Sequence, residues 1–237
     1  MSIIYMYNII KRTISLTLIS VLTISSVFMF FEPQLVKSAE DSVDVSLTVT
    51  AEISISSPAN VTLLPNMPGI TGGTATGECT WTVVTTNNAG FTMTLKESDA
   101  GPALVGQAEG DSFADYTPTN SGTPDYTWAI ADSTAEFGFT VEPATAADTV
   151  QLFLDNGADT CDISGGSNTV NACWFGFNGT TAITVINRST ETDYDGEDEL
   201  VKFKAQLYNA DGVPNDANGI LVEDSYQATI TATATSN

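Results

Sequence analysis

From Ser42 to Ser56 every odd position is apolar (Val43, Val45, Leu47, Val49, Ala51, Ile53, Ile55) and every even position is Ser, Thr, Asp or Glu. A strict period of two puts all the apolar side chains on one side of an extended strand, about 50 Å long at about 3.3 Å per residue. Strands in globular domains usually stop at about half that length. Two readings follow. The segment is the first strand of a two-sheet fold, crossing from one sheet to the other near Ala51 and Glu52. Alternatively Val43, Val45, Leu47, Val49, Ile53 and Ile55 form an arm that adds to the open sheet of a second copy, as pilus subunits do.

Downstream the same alternation recurs in short pieces. Thr80–Thr86 and Phe91–Lys96 flank Asn87-Asn88-Ala89-Gly90 and read as a hairpin, with Trp81, Val83 and Thr85 facing one way and Phe91, Met93 and Leu95 likewise. Strands are also expected at Tyr126–Ile130, Glu136–Val141, Thr149–Asp155, Thr181–Asn187, Leu200–Tyr208 and Tyr226–Ala234. In Leu200–Tyr208, Lys202, Lys204 and Gln206 form a wet face opposite Val201, Phe203, Ala205 and Leu207. No amphipathic helix interrupts this pattern. The expectation is an all-β protein, an antiparallel β-sandwich of Ig-like or jelly-roll type preceded by an N-terminal signal or anchor helix. Residues 40–237 form one domain, because no linker divides two complete sets of strands.

Residues 1–39 read as the export segment. Lys11-Arg12 precede an uncharged run from Thr13 to Phe31, and Val36-Lys37-Ser38-Ala39 supply a cleavage site after Ser38 or Ala39. An uncleaved run of this length would also span a bilayer, leaving membrane attachment to this segment alone. Either outcome puts the body outside the cytoplasm, secreted or at the cell surface. Losing these residues removes Lys11, Arg12, Lys37 and Glu32, so the body carries 4 basic and 28 acidic residues, a net charge of −24. Such a surface repels phosphate backbones and excludes nucleic acid as a partner. The chain has no histidine, which removes Ser-His-Asp and Cys-His catalysis and the commonest transition-metal ligand. A non-enzymatic protein is expected.

The three cysteines are Cys79, Cys161 and Cys173. Cys161 and Cys173 are the natural disulfide, since Gly165-Gly166 between them lets the chain reverse. Cys79 is then a buried free thiol, an intersubunit link, or the true partner of one of the others. Asp193, Asp195, Glu197 and Asp198 gather in one loop and Asp211 and Asp216 in the next. Oxygen ligands of this kind suit calcium, with a solvated acidic face as the alternative. Calcium is the one cofactor the residues suggest. Trp81, Trp128 and Trp174 are the large aromatics available to stack on a sugar. Trp81 and Trp174 read as core, Trp174 packing on the disulfide, and Trp128 is left open.

The segment TGGTATGECTWTVVTTNNAGFTMTL, with the leader, the alternating strand and the closing YQATITATAT, resembles secreted bacterial surface β-sandwich proteins of spore-coat-like, camelysin-like and cell-wall-binding type. The chain lacks the Trp-x-Leu motif of the cell-wall-binding family: Trp81-Thr-Val, Trp128-Ala-Ile and Trp174-Phe-Gly stand instead. The expected function is that of an exported acidic structural or assembly protein of the microbial surface, self-associating by strand addition. Its partners are then itself or other surface proteins. The alternative is an adhesin-like module for a glycan or another surface ligand, using loops 66–77 and 194–199.

Overall fold

The computed structural model describes residues 2–30, 40–98, 100–209 and 221–237. The chain forms two compact units, Met1–Thr48 and Val49–Asn237. The first contains helix α1, Ser2–Phe30. Its stretch Ile4–Val27 is long and apolar enough to cross a membrane. The helix tolerates many Ser and Thr because their hydroxyls turn back onto its own carbonyls: Thr13 Oγ1 donates to Ile9 O at 2.8 Å and Thr23 Oγ1 to Ile19 O at 3.0 Å. The cleavage positions Ser38 and Ala39 lie outside the described residues.

The second unit is mostly β. Its strands are β1 Ile53–Ile55, β2 Gly73–Thr85, β3 Phe91–Glu97, β4 Leu104–Gly106, β5 Ser112–Asp115, β6 Thr134–Val141, β7 Ile183–Arg188, β8 Glu197–Tyr208, β9 Tyr226–Gln227 and β10 Ile230–Ser236. One sheet has seven strands in the order β1-β2-β8-β6-β5-β4-β9, and the other has three in the order β10-β3-β7. The larger sheet curls into a half-barrel. All pairings are antiparallel except β5 with β6.

Several expected elements take a different form. Of the long alternating segment only Ile53–Ile55 is in a ladder, opposite Val83–Thr85. β2 ends at Thr85 and the chain turns at Asn87–Gly90. Residues before Glu52 therefore have no further rung of this ladder to meet. Thr80–Thr86 and Phe91–Lys96 do not form a hairpin. β2 pairs with β1 and β8, β3 with β10 and β7, and the Asn87–Gly90 turn carries the chain from one sheet to the other. Both strands have a mostly apolar inward face, ending on buried Thr85 in β2 and buried Glu97 in β3, and placing them in opposed sheets buries both faces in one core. Gly90, at φ 78, is required here because a Cβ would also collide with Arg188. Thr149–Asp155 becomes a short 3-10 turn at Gln151–Phe153, and Tyr126–Ile130 is a loop.

The core lies between the sheets. Val83, Phe91, Met93, Leu95, Phe139 and Val201 are all inaccessible to solvent. Phe139 stacks on Phe177 at 4.6 Å and tilts against Phe153 at 5.7 Å. Behind Phe153 the chain is held by the Cys161–Cys173 disulfide, with Cα atoms 5.8 Å apart. The loop it closes is organised around Asp155, whose carboxylate accepts from Gly157 N, Thr169 N, Thr169 Oγ1 and Ser167 Oγ. Burial pushes the Asp155 pKa up, but these bonds to the charged form outweigh it and hold the carboxyl below its ordinary value. Cys79 is free and half-buried. Burial raises its pKa to about 11, so it is a thiol and a poor nucleophile at neutral pH. Replacing Cys161 and Cys173 together by Ala is expected to cost about 2–3 kcal/mol, the loop-closure value for a cross-link of this span. Urea unfolding of the oxidised protein and the variant measures it; equal midpoints would show that the bond adds nothing.

Candidate functional site

The pleat of β8 sends alternate side chains to opposite faces of the half-barrel. Val201, Phe203, Ala205 and Leu207 enter the core. Lys202, Lys204 and Gln206 face outward, but this face is not wet along its length. The loops 116–130 and 170–176 lie across it and leave a cleft of about 350 Å³. Its walls include Tyr126, Trp128, Asn171 and Trp174, with Lys204 and Gln206 between them.

Close approach of the loops depends on Gly138 of β6. A Cβ there would lie 2.6 Å from Phe175 O, 2.8 Å from Tyr116 Cβ and 3.1 Å from Trp128. Tyr116 pins one loop: its O–H donates to Asp125 Oδ2 at 2.8 Å, and Asp125 also accepts from Thr119 N at 2.9 Å. Burial and then this bond raise the Tyr116 pKa. Trp128 stacks on Tyr116 with ring centroids 4.1 Å apart, meets Trp174 edge to face at 5.5 Å, and donates from Nε1 to Gln206 Oε1 at 2.6 Å. Trp174 is buried and donates from Nε1 to Asn171 O at 2.9 Å. Trp174 thus lines the cleft, and it is not among the core residues that pack together with Cys161 and Cys173.

Into this aromatic corner β8 delivers an ammonium. Lys204 Nζ lies 3.8 Å from the centroid of the Trp174 ring and 5.3 Å from that of Trp128. Burial lowers its pKa to about 8, because the indoles replace water around the charge. Lys202, two residues earlier, is ion-paired with Glu142 at 2.7 Å. Arg188 pairs with Asp148 at 2.6 Å and Glu197 at 3.1 Å. Among the described residues Lys204 makes no ion pair.

The carboxylates singled out for calcium are dispersed. Asp193 and Asp195 are exposed in the turn before β8. Glu197 turns to Arg188 and accepts from Thr145 Oγ1, whereas Asp198 turns the other way and accepts from Thr82 Oγ1 at 2.7 Å. Neighbouring residues of a strand cannot share a face, which separates these two. Asp211 and Asp216 lie outside the described residues. Among the described residues no group of three or more His, Cys, Asp or Glu is placed to hold a metal ion. Val43, Val45, Leu47 and Val49 are 80–90% exposed, while Ile53 and Ile55 sit half-buried in β1. Of the loops named for ligand binding, 66–77 contributes Thr74 to the cleft and 194–199 does not line it. Sequence reading placed Lys204 in water; the two loops covering it are distant in the chain, and nothing local to β8 signals them.

Glu199 follows Glu197 on the inward row of β8, is 1% exposed, and has no hydrogen-bond partner for either carboxyl oxygen among the described residues. Burial, then the nearby Asp148 and Glu197, raise its pKa to about 8 against the opposing pull of Arg188. It is therefore a neutral acid in the fold at pH 7. No protein-family model matches this chain, and no curated protein matches it.

The buried acid makes stability depend on pH. Unfolded Glu releases its proton near pH 4.3 and folded Glu199 holds it to about 8, so between these values the folded state binds more protons and stability falls as pH rises. Asp115 and Glu136, raised by burial, slope the same way. Glu199→Gln is expected to flatten this decline by up to about 1.4 kcal/mol per pH unit without loss of stability at pH 7.5. Melting curves from pH 5 to about 8 would show it; an unchanged slope would place the titration elsewhere.

Proposed function

We propose that this is an exported, acidic structural protein of the microbial surface, a sandwich of Ig-like or jelly-roll type that assembles by strand addition. In this reading Val43–Val49 of one copy adds to a sheet edge of the next. The observation that carries it is the exposure of Val43, Val45, Leu47 and Val49, each at least 80% accessible on a segment that alternates perfectly and is in no ladder. Exposed apolar side chains scattered over a surface need no explanation, but a regular row of them along an extended segment does.

The acceptor in this reading is the edge strand β10. Three of the four sheet edges are short or covered: β1 has three residues and β9 two, and β7 is flanked by the segment in which Val150 N donates to Val185 O. Among the described residues β10 is hydrogen-bonded only to β3, and β1 lies beside it. β10 runs for seven residues, and its inward Ile230, Ala232 and Ala234 are only half-buried. Val43–Val49 is also seven residues and also alternates. A strand hydrogen-bonded on one side only is a template for another strand. Burying four Val or Leu side chains contributes roughly 6–12 kcal/mol. Association costs about 4–15 kcal/mol, so the added main-chain ladder decides whether assembly is tight. The apolar α1 and the disulfide are consistent with export.

Deleting Ser42–Thr50 from the full chain is expected to leave a cooperative melt within a few degrees of the parent while abolishing fibres or oligomers of the exported protein. Electron microscopy and light scattering read the assembly. A parent that is monodisperse at high concentration, or a truncate that assembles equally well, would overturn the reading, as would recovery from the cytosol with reduced thiols.

A further inference from the structure

The body carries only four basic side chains beyond residue 39: Lys96, Arg188, Lys202 and Lys204. Arg188 and Lys202 are used in ion pairs. Lys204 is different: half-buried, held against two indoles in the lining of a cleft, and without a carboxylate partner among the described residues. A partly desolvated ammonium is costly to keep unless something offsets it. The ring contacts offset part of this.

Of the acids near Lys204 by strand register, Glu78 lies opposite Lys202 on β2, is exposed, and makes no ion pair with Lys204 among the described residues, and the other two are engaged elsewhere. Glu136, opposite Gln206, accepts from Thr117 N at 3.0 Å, and Glu142 serves Lys202. On a surface of net charge −24 a bound anion needs a local positive centre, and the cleft supplies one. The rest of its lining selects among anions. Thr74, Thr127, Asn171 and Gln206 offer hydroxyls and amides, and Tyr126 and Trp128 offer ring surface. A cleft of about 350 Å³ is at the small end of ligand sites. Hydroxyl-rich ligands with an apolar ring face use this combination of polar groups and aromatics.

We propose that the cleft over β8 binds a carboxylated saccharide, the Lys204 ammonium pairing with the carboxylate and Trp128 and Tyr126 packing on the sugar ring. The site is independent of the assembly edge: β8 is interior to the large sheet and β10 is an edge of the small one. A surface protein so equipped would tether an acidic polysaccharide.

The test titrates the full chain in detergent with an oligogalacturonate, using tryptophan fluorescence and calorimetry, since Trp128 and Trp174 border the site. Saturable quenching is expected, with a neutral oligosaccharide of the same length and linkage binding at least about tenfold more weakly. Lys204→Met keeps the stem and removes the charge; it should weaken oligogalacturonate binding at least about tenfold with an unchanged melt, and Lys204→Arg should retain binding. No saturable response to millimolar oligogalacturonate would overturn the proposal. Equal binding of the neutral sugar, undiminished binding by Lys204→Met, or tighter binding of an oligoglutamate peptide would overturn it as well. Should Lys204→Met melt early, the comparison of charged and neutral sugars on the parent chain decides alone.

Discussion

The alternation along β8 is the constraint on which the rest of the second unit depends. β8 is hydrogen-bonded to β2 along one side and to β6 along the other. Its inward row, Val201, Phe203, Ala205 and Leu207, lies between Phe137, Phe139 and Val141 of β6 and Ala75, Gly77 and Cys79 of β2 on the inner face of the large sheet. A slip of one residue would send Lys202 and Lys204 into the core and the apolar row into solvent. Burying one unpaired ammonium in that way costs several kcal/mol. The register of the large sheet is therefore set by charge as well as by apolar burial.

The outward row of the same strand shows what a pleated face becomes when loops cover it. Lys202 and Glu142 resolve the problem of a covered cation by ion pairing. Lys204 resolves it through ring contacts, which leave its charge available. At the start of the strand Glu199 meets the converse problem, a carboxyl in the apolar row, and resolves it by keeping its proton. Three ionisable residues within six positions thus take three different routes to the same end, each dictated by which face they occupy and what lies over it.

Much of the architecture was legible in the sequence. The apolar N-terminal helix, the strand periods of β3, β6, β8 and β10, and the spacing of Cys161 and Cys173 are local signals, carried by residues near one another in the chain. Partner choice was not legible. The segments flanking Asn87–Gly90 have the pattern of a hairpin, and only the competition for burial from β8 and β10 places them in different sheets. Trp128 and Trp174 likewise gave no sign that they meet, since 46 residues separate them and Gly138, on a third element, makes the room.

By itself the sequence determined a mostly β chain with an apolar leader, an acidic surface and a one-sided segment from Val43 to Ile55, because periodicity and charge are properties of neighbours. Tertiary structure alone decided that only Ile53–Ile55 of that segment joins a ladder, that β10 is hydrogen-bonded only to β3 among the described residues, and that Lys204 is held against two indoles. Those outcomes depend on which distant strands and loops reach a given face first, and a backbone hydrogen bond, unlike a side-chain pattern, carries no mark in the sequence of the partner it will take.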